Sequence, residues 1–373
     1  MNKFDSIRPF GDDEIKDILL SLSKNETILK LFIKSSNLGS LANLPFVKWF
    51  LKRKISQLVN SINTVEDLQI YFKKLVQKVI NETIDEFTHS GIEHLNPTQN
   101  YLFVSNHRDI TLDPALLNFL IHSRGHKTSN IAVGNNLMSH EWAANLMRLN
   151  KSFVIQRDGS SKKDIYAGLN LASEFINHCL ENNESVWIAQ RQGRAKDGVD
   201  VSDPAILKMI QLARRKSKST SEFFNELRLV PVSISYEFDP NDILKAKELT
   251  VLAEEGNYLK HDNEDLDSIV RGINEFKGNV HISIHPPMSF QEGDEHKEIA
   301  NKITETILKN YKLHSSNIVA HTLLGNEQVS HNFGAEQIRK AEDYFQKRLK
   351  GLAPKEAQNL LMQYANPVIS RKT

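Results

Sequence analysis

The sequence predicts an α/β fold: a mostly parallel sheet flanked by helices, with an N-terminal helical bundle and C-terminal helices. From about residue 100, short strand-like runs alternate with helical segments, the pattern of parallel strands joined by covering helices. On either side of that region, over residues 12 to about 90 and from about 325 on, the spacing is helical, with few strand-like runs in the first stretch. At 373 residues, 40% of them apolar, the chain can bury a sizeable core and exceeds the usual single domain. The expected division is a helical region over 1–92, an α/β domain over 93–325 and a helical segment over 326–373.

Taken in order, residues 12 to about 90 carry apolar side chains at helical intervals in DDEIKDILLSLS, ETILKLFIK, LPFVKWFLKRKISQLVNSI and TVEDLQIYFKKLVQKVINETIDEF. The strand-like runs are YLFVSN, NIAVG, KSFVIQR, SVWIAQ, LRLVPVSISYE and NVHISIH; KKDIYAGLNLASEFINHCL and DPAILKMIQLARRK are among the helices between them. Parallel strands place ligand sites at their C-terminal ends, so that is where functional side chains are expected.

Lys and Arg number 47 against 46 Asp and Glu, so no global field draws the chain to nucleic acid, and none is expected as a partner. The single cysteine, Cys179, cannot form an intramolecular disulfide and reads as a small buried apolar side chain in a reducing compartment. No stretch reaches the roughly 18 consecutive apolar residues of a membrane span. The expected location is cytoplasmic, with peripheral contact at the inner face of the membrane. That contact is assigned to LPFVKWFLKRKISQLV, residues 44–59, where Phe46, Trp49, Phe50 and Ile55 stand among Lys48, Lys52, Arg53 and Lys54. The competing reading of the same stretch is a bundle helix with its apolar face in the core.

The segment FVSNHRDITLDPALLNFL, residues 103–120, carries the first candidate chemistry. His107 follows an apolar run, and Asp113 with Pro114 makes a good helix start, so the histidine sits on a strand-to-helix turn. A hydroxyl is a poor nucleophile until a base removes its proton, a task suited to imidazole. An aspartate accepting from the other ring nitrogen fixes the tautomer, and either Asp109 or Asp113 could serve. The bland alternative is that Asp113 caps the helix and His107 only satisfies backbone groups.

Three further blocks follow: KSFVIQRDG, WIAQRQGRAKDG and LVPVSISYE. With NHRDITLD they stand in the order of the four sequence blocks of the glycerolipid acyltransferases, and the chain resembles that family over about residues 100–240. The resemblance implies acyl transfer from a thioester to the hydroxyl of a glycerol-phosphate-type acceptor, with His107 as general base. Its first block has a histidine and an aspartate with four residues between them; here five separate His107 from Asp113, which leaves Asp109 in competition for the second role. By the same resemblance Arg157, ending the second block, contacts the acceptor's phosphate. The third block reads Gln192, Gly193, Arg194 where the family has a Glu-Gly pair and an arginine, with Arg191 and Lys196 flanking. A guanidinium fork matches phosphate oxygens, and a glycine lets backbone N–H groups approach an anion. The fourth block, with Pro231, is a buried strand.

The expected substrates are an acyl thioester, carried by coenzyme A or acyl carrier protein, and a phosphorylated glycerol or lysolipid; no metal and no other cofactor is required. Two alternatives stand beside this. One is a lipid- or phosphate-binding protein of the same fold, catalytically weakened by Gln192. The other is a metal-dependent hydrolase using His107 and Asp109 with His140, His281 or His285, which lack a compact ligand spacing.

Overall fold

The computed structural model describes residues 3–26, 53, 56–138, 141–261 and 263–371. In chain order they form α1 (Asp12–Lys24), α2 (Val65–Thr83), β1 (Ile84–Ser90), β2 (Leu102–Ser105), α3 (Leu112–Ser123), β3 (Asn130–Gly134) and α4 (Glu141–Leu149). Next come β4 (Ser152–Ile155), α5 (Lys162–Glu181), β5 (Val186–Ala189), α6 (Pro204–Gln211), α7 (Thr220–Glu226), β6 (Leu229–Tyr236) and α8 (Asp242–Glu255). The chain ends with α9 (Glu264–Asn274), β7 (Gly278–Ile284), α10 (His296–Asn310), α11 (Ser315–Leu323), α12 (Ala335–Arg348) and α13 (Pro354–Ile369). Most of the basic aromatic stretch at 44–59 lies outside the described residues. Among those described, no helix is long and apolar enough to cross a membrane.

Two units divide the chain: residues 1–77 with 128–186, and residues 78–127 with 187–373. In the smaller unit β3 and β4 pair in parallel, Ile131 opposite Ser152. Its apolar cluster joins Phe10, Ile15 and Leu22 to Ile62, Leu68 and Leu149. Cys179, on α5, is buried, and burial pushes its thiol far up, which suits a packing role.

In the larger unit the strand order is β1-β7-β6-β2-β5. β1 runs parallel to β7, and β2 parallel to β6, while β6 and β7 are antiparallel. The expected mostly parallel sheet flanked by helices is therefore present, with an antiparallel step. All eight residues of β6 are buried, as a strand covered on both faces requires. A second apolar cluster ties α13 (Leu360, Leu361, Tyr364, Ala365) to Phe345 of α12 and Val319 of α11.

Two local expectations are corrected. The helical reading of TVEDLQIYFKKLVQKVINETIDEF runs too far, since α2 stops at Thr83 and Ile84–Ser90 is a strand. β1 alternates little and is mostly exposed or half-buried, so its pairing with β7 decides its conformation and its own pattern does not. The helix after His107 begins at Leu112, and the residue that caps it is Asp109: its Oδ1 accepts from the N–H groups of Thr111 and Leu112 at 2.9 and 2.8 Å.

Candidate active site

The site belongs to the larger unit and starts where β2 ends. After Ser105 the backbone leaves the sheet, and the side chain of Asn106 continues the pairing in its place. Its Oδ1 accepts from the Ile234 N–H at 2.8 Å and its Nδ2 donates to the Ile234 carbonyl at 3.0 Å. This pins the turn that carries His107. The indole N–H of Trp187 donates to Ser105 Oγ at 2.9 Å, and its ring meets the His107 imidazole edge-on with centroids 5.7 Å apart.

His107 Nδ1 lies 2.8 Å from Asp113 Oδ2. An ionised carboxylate only accepts, so Nδ1 carries the proton and Nε2 keeps the free lone pair. The same Oδ2 accepts from the backbone N–H groups of Arg108 and Asp109 at 2.6 and 3.0 Å. The Tyr236 hydroxyl donates to Oδ1 at 2.8 Å. Asp113 is fully buried while the His107 side chain keeps 15% of its surface exposed, so a substrate can reach the ring and not the carboxylate.

Of the two aspartates left open by the sequence, Asp113 is the one against the imidazole. Asp109 is spent on the helix cap, and burial together with the neighbouring Asp113 charge raises its carboxyl above the usual range. Its Oδ2 sits where a Cβ on Gly272 would be, 2.3 Å away, which closes that side to any larger residue on α9.

Tyr236 stands 123 residues beyond Asp113, and nothing in its strand marks it as a partner of the carboxylate. Burial and the Asp113 charge push its phenol well above the ordinary value, so it stays a donor. Tyr236→Phe is expected to lower stability by about 1.5–3 kcal/mol, the size of a hydrogen bond to a charged group. A urea midpoint unchanged by this substitution would mean that the bond contributes nothing.

The third block forms a loop after β5 that docks directly on the turn. The Gln190 N–H donates to the Ser105 carbonyl at 2.7 Å and the Ala195 N–H to the His107 carbonyl at 2.8 Å. Arg108 enters from the other side, donating to the Gly198 carbonyl at 3.2 Å and pairing with buried Asp200. Lys245 ties the turn to α8 by donating to the Arg108 carbonyl at 2.7 Å. Arg108, Asp200 and Lys245 thus complete a frame that the spacing of the sequence blocks could not reveal.

The predicted anion-binding residues differ in how committed they are. Arg191 pairs with Asp197 at 3.2 Å and Lys196 with Glu248. Gln192 and Gly193 are exposed, and Gly193 has a φ of 75°, a left-handed turn that favours glycine. Arg194 is half-buried, and its Nη1 is buried without a hydrogen-bond partner. A guanidinium N–H in that state is an unmet donor, of the kind an anionic oxygen satisfies. Arg157 belongs to the smaller unit, where burial pulls its guanidinium down and its backbone N–H reaches Asn135 Oδ1 at 3.4 Å.

For the metal reading, the described residues contain no group of three or more His, Cys, Asp or Glu able to hold an ion, and His140 lies outside them. His281 is engaged by Thr88 at Nδ1 and Ser90 at Nε2. His285 is half-buried, and its Nε2 is buried without a hydrogen bond.

Residues 86–199 match the family model described as Acyltransferase. A search of curated proteins by sequence gave no match. Among solved structures, the 1-acyl-sn-glycerophosphate (LPA) acyltransferase PlsC from Thermotoga maritima is similar at 14% identity, over 75% of this chain and 92% of that one, with a TM-score of 0.41. The matched residues run from β1 through the loop that docks on His107, and they include the imidazole, its carboxylate and the arginines of the second and third blocks. Residues 86–199, which carry His107, Asp113 and most of the loop that docks on them, are thus similar to the acyltransferase family, while Asp200, Tyr236 and Lys245 lie beyond the matched segment.

Proposed function

We propose that the protein transfers a fatty acyl group from a thioester, of coenzyme A or acyl carrier protein, to the hydroxyl of a glycerol-phosphate-type acceptor such as 1-acylglycerol-3-phosphate or glycerol 3-phosphate. The observation that carries this reading is the His107–Asp113 pair with Nε2 left basic, set in an acyltransferase-family segment beside a loop bearing Arg194.

In the proposed reaction Nε2 takes the proton of the acceptor hydroxyl while its oxygen attacks the thioester carbonyl carbon. Asp113 stabilises the imidazolium that forms. The C–O bond is made, the C–S bond breaks, and the imidazolium returns its proton to the departing thiolate, so an ester and a free thiol leave. The guanidinium of Arg194 holds the acceptor's phosphate, and positioning the hydroxyl in this way supplies part of the rate. Arg191, Gln192, Gly193 and Lys196 shape the same loop, with Arg191 and Lys196 neutralised in part by Asp197 and Glu248. Arg157 keeps the phosphate assignment of its block as a separate proposal.

The test is thiol release from a long-chain acyl thioester by the purified protein, with and without glycerol 3-phosphate or lysophosphatidate. Acceptor-dependent release that a chelator leaves unchanged supports transfer. Chelator-sensitive hydrolysis supports the metal reading, and binding without turnover supports a weakened relative. Arg194→Ala is expected to raise the acceptor KM about 10–100-fold, with little change in kcat. An unaltered KM removes Arg194 from the phosphate site.

A further inference from the structure

We infer that Asn366, on the C-terminal helix α13, is a positioning residue for the arginine loop, so that a helix far beyond the acyltransferase-family segment sets the acceptor affinity. The inference rests on reading Arg194 as the phosphate ligand.

The loop is held from two directions. On one side the Ala195 N–H is fixed to the His107 carbonyl at 2.8 Å. On the other, the Asn366 side-chain amide donates to the Asp197 carbonyl at 2.6 Å. Next to that bond the two backbones touch. Gly198 has a φ of 79°, and a Cβ added there would lie 2.1 Å from the Gln363 carbonyl oxygen. Only glycine allows both the conformation and the approach. Just before these ties, between the Gln190 and Ala195 bonds to the His107 turn, stand the exposed Gln192 and Gly193 and the unpartnered Nη1 of Arg194.

α13 is a firm support for such a tie. Leu360, Leu361, Tyr364 and Ala365 are buried in the cluster with α11 and α12, and the Asn317 side chain of α11 donates to the Tyr364 carbonyl at 2.8 Å. Asn366 itself is 8% exposed. Loss of its amide donor loosens the loop at Asp197, which the Ala195 and Arg108 bonds still anchor on the other side, and the extra ordering needed on binding then opposes phosphate capture. The His107–Asp113 pair makes no bond to Asn366, so the chemical step is spared once the acceptor is bound.

The experiment compares the intact wild-type chain with Asn366→Asp, which keeps the shape and removes the donor, and with Arg194→Ala. Acceptor and donor KM, kcat, and hydrogen exchange of the 191–199 amides are measured. For Asn366→Asp the expected result is an acceptor KM raised about 3–10-fold, kcat and donor KM near wild type, and faster exchange confined to the loop. Arg194→Ala separates the two ideas. If it raises the acceptor KM while Asn366→Asp changes neither KM nor exchange, the positioning role is overturned. If Arg194→Ala leaves the KM alone, the phosphate reading fails, and the tie then stands or falls on loop exchange. A Asn366→Asp variant with uniform loss of kcat and both KM values, and faster exchange throughout the chain, also overturns the inference, because that marks general destabilisation.

Discussion

His107→Ala is expected to lower kcat/KM for acyl transfer by about 10²–10⁴-fold, the usual contribution of a positioned general base. The loss comes from chemistry and not from folding. The imidazole has one side-chain hydrogen bond, to Asp113, and the carboxylate keeps the two backbone N–H donors and the Tyr236 hydroxyl when the ring is gone. Three donors still satisfy a buried charge, so the thermal midpoint should move little. Thiol release at saturating donor and acceptor is the measurement. A variant that folds normally and retains near wild-type turnover would remove His107 from the reaction.

The strands were legible because each is a short apolar run bounded by turn residues, and β2, β6 and β7 lie where their sequences place them. β1 was not, because IDEFTHS is polar and pairs with β7 alone, so neighbouring backbone and no periodicity of its own selects the extended form. The histidine could be found from its place after an apolar run. Its partner could not, because moving the helix start from Pro114 back to Leu112 makes Asp109 the cap and turns Asp113 inward. Tyr236, Asp200 and Lys245 come from distant elements and meet the turn only through the sheet and α8. The left-handed Gly198 stands in RAKDGVD without any mark of the helix that will press on it. What sequence spacing carries is the local element; what it omits is the long-range hydrogen bond that selects one of two equivalent residues.

That selection makes the second large effect specific to one carboxylate. Asp113→Asn is expected to reduce kcat by on the order of 10³–10⁴-fold, whereas Asp109→Asn should stay within a few fold of wild type. At position 113 the amide oxygen can replace Oδ2 for the imidazole and the two backbone N–H groups. The amide NH₂ then faces Tyr236, whose hydroxyl must turn from donor to acceptor. Geometry survives in part, but the negative charge that stabilises the imidazolium does not. At position 109 the side chain acts as a helix cap, and asparagine caps about as well as aspartate. Burial already disfavours its charge, so a neutral amide gives up little. Single-turnover rates of the two variants decide the matter: equal losses, or a larger loss at Asp109, would mean that the hydrogen bond from His107 to Asp113 is not the one the reaction uses.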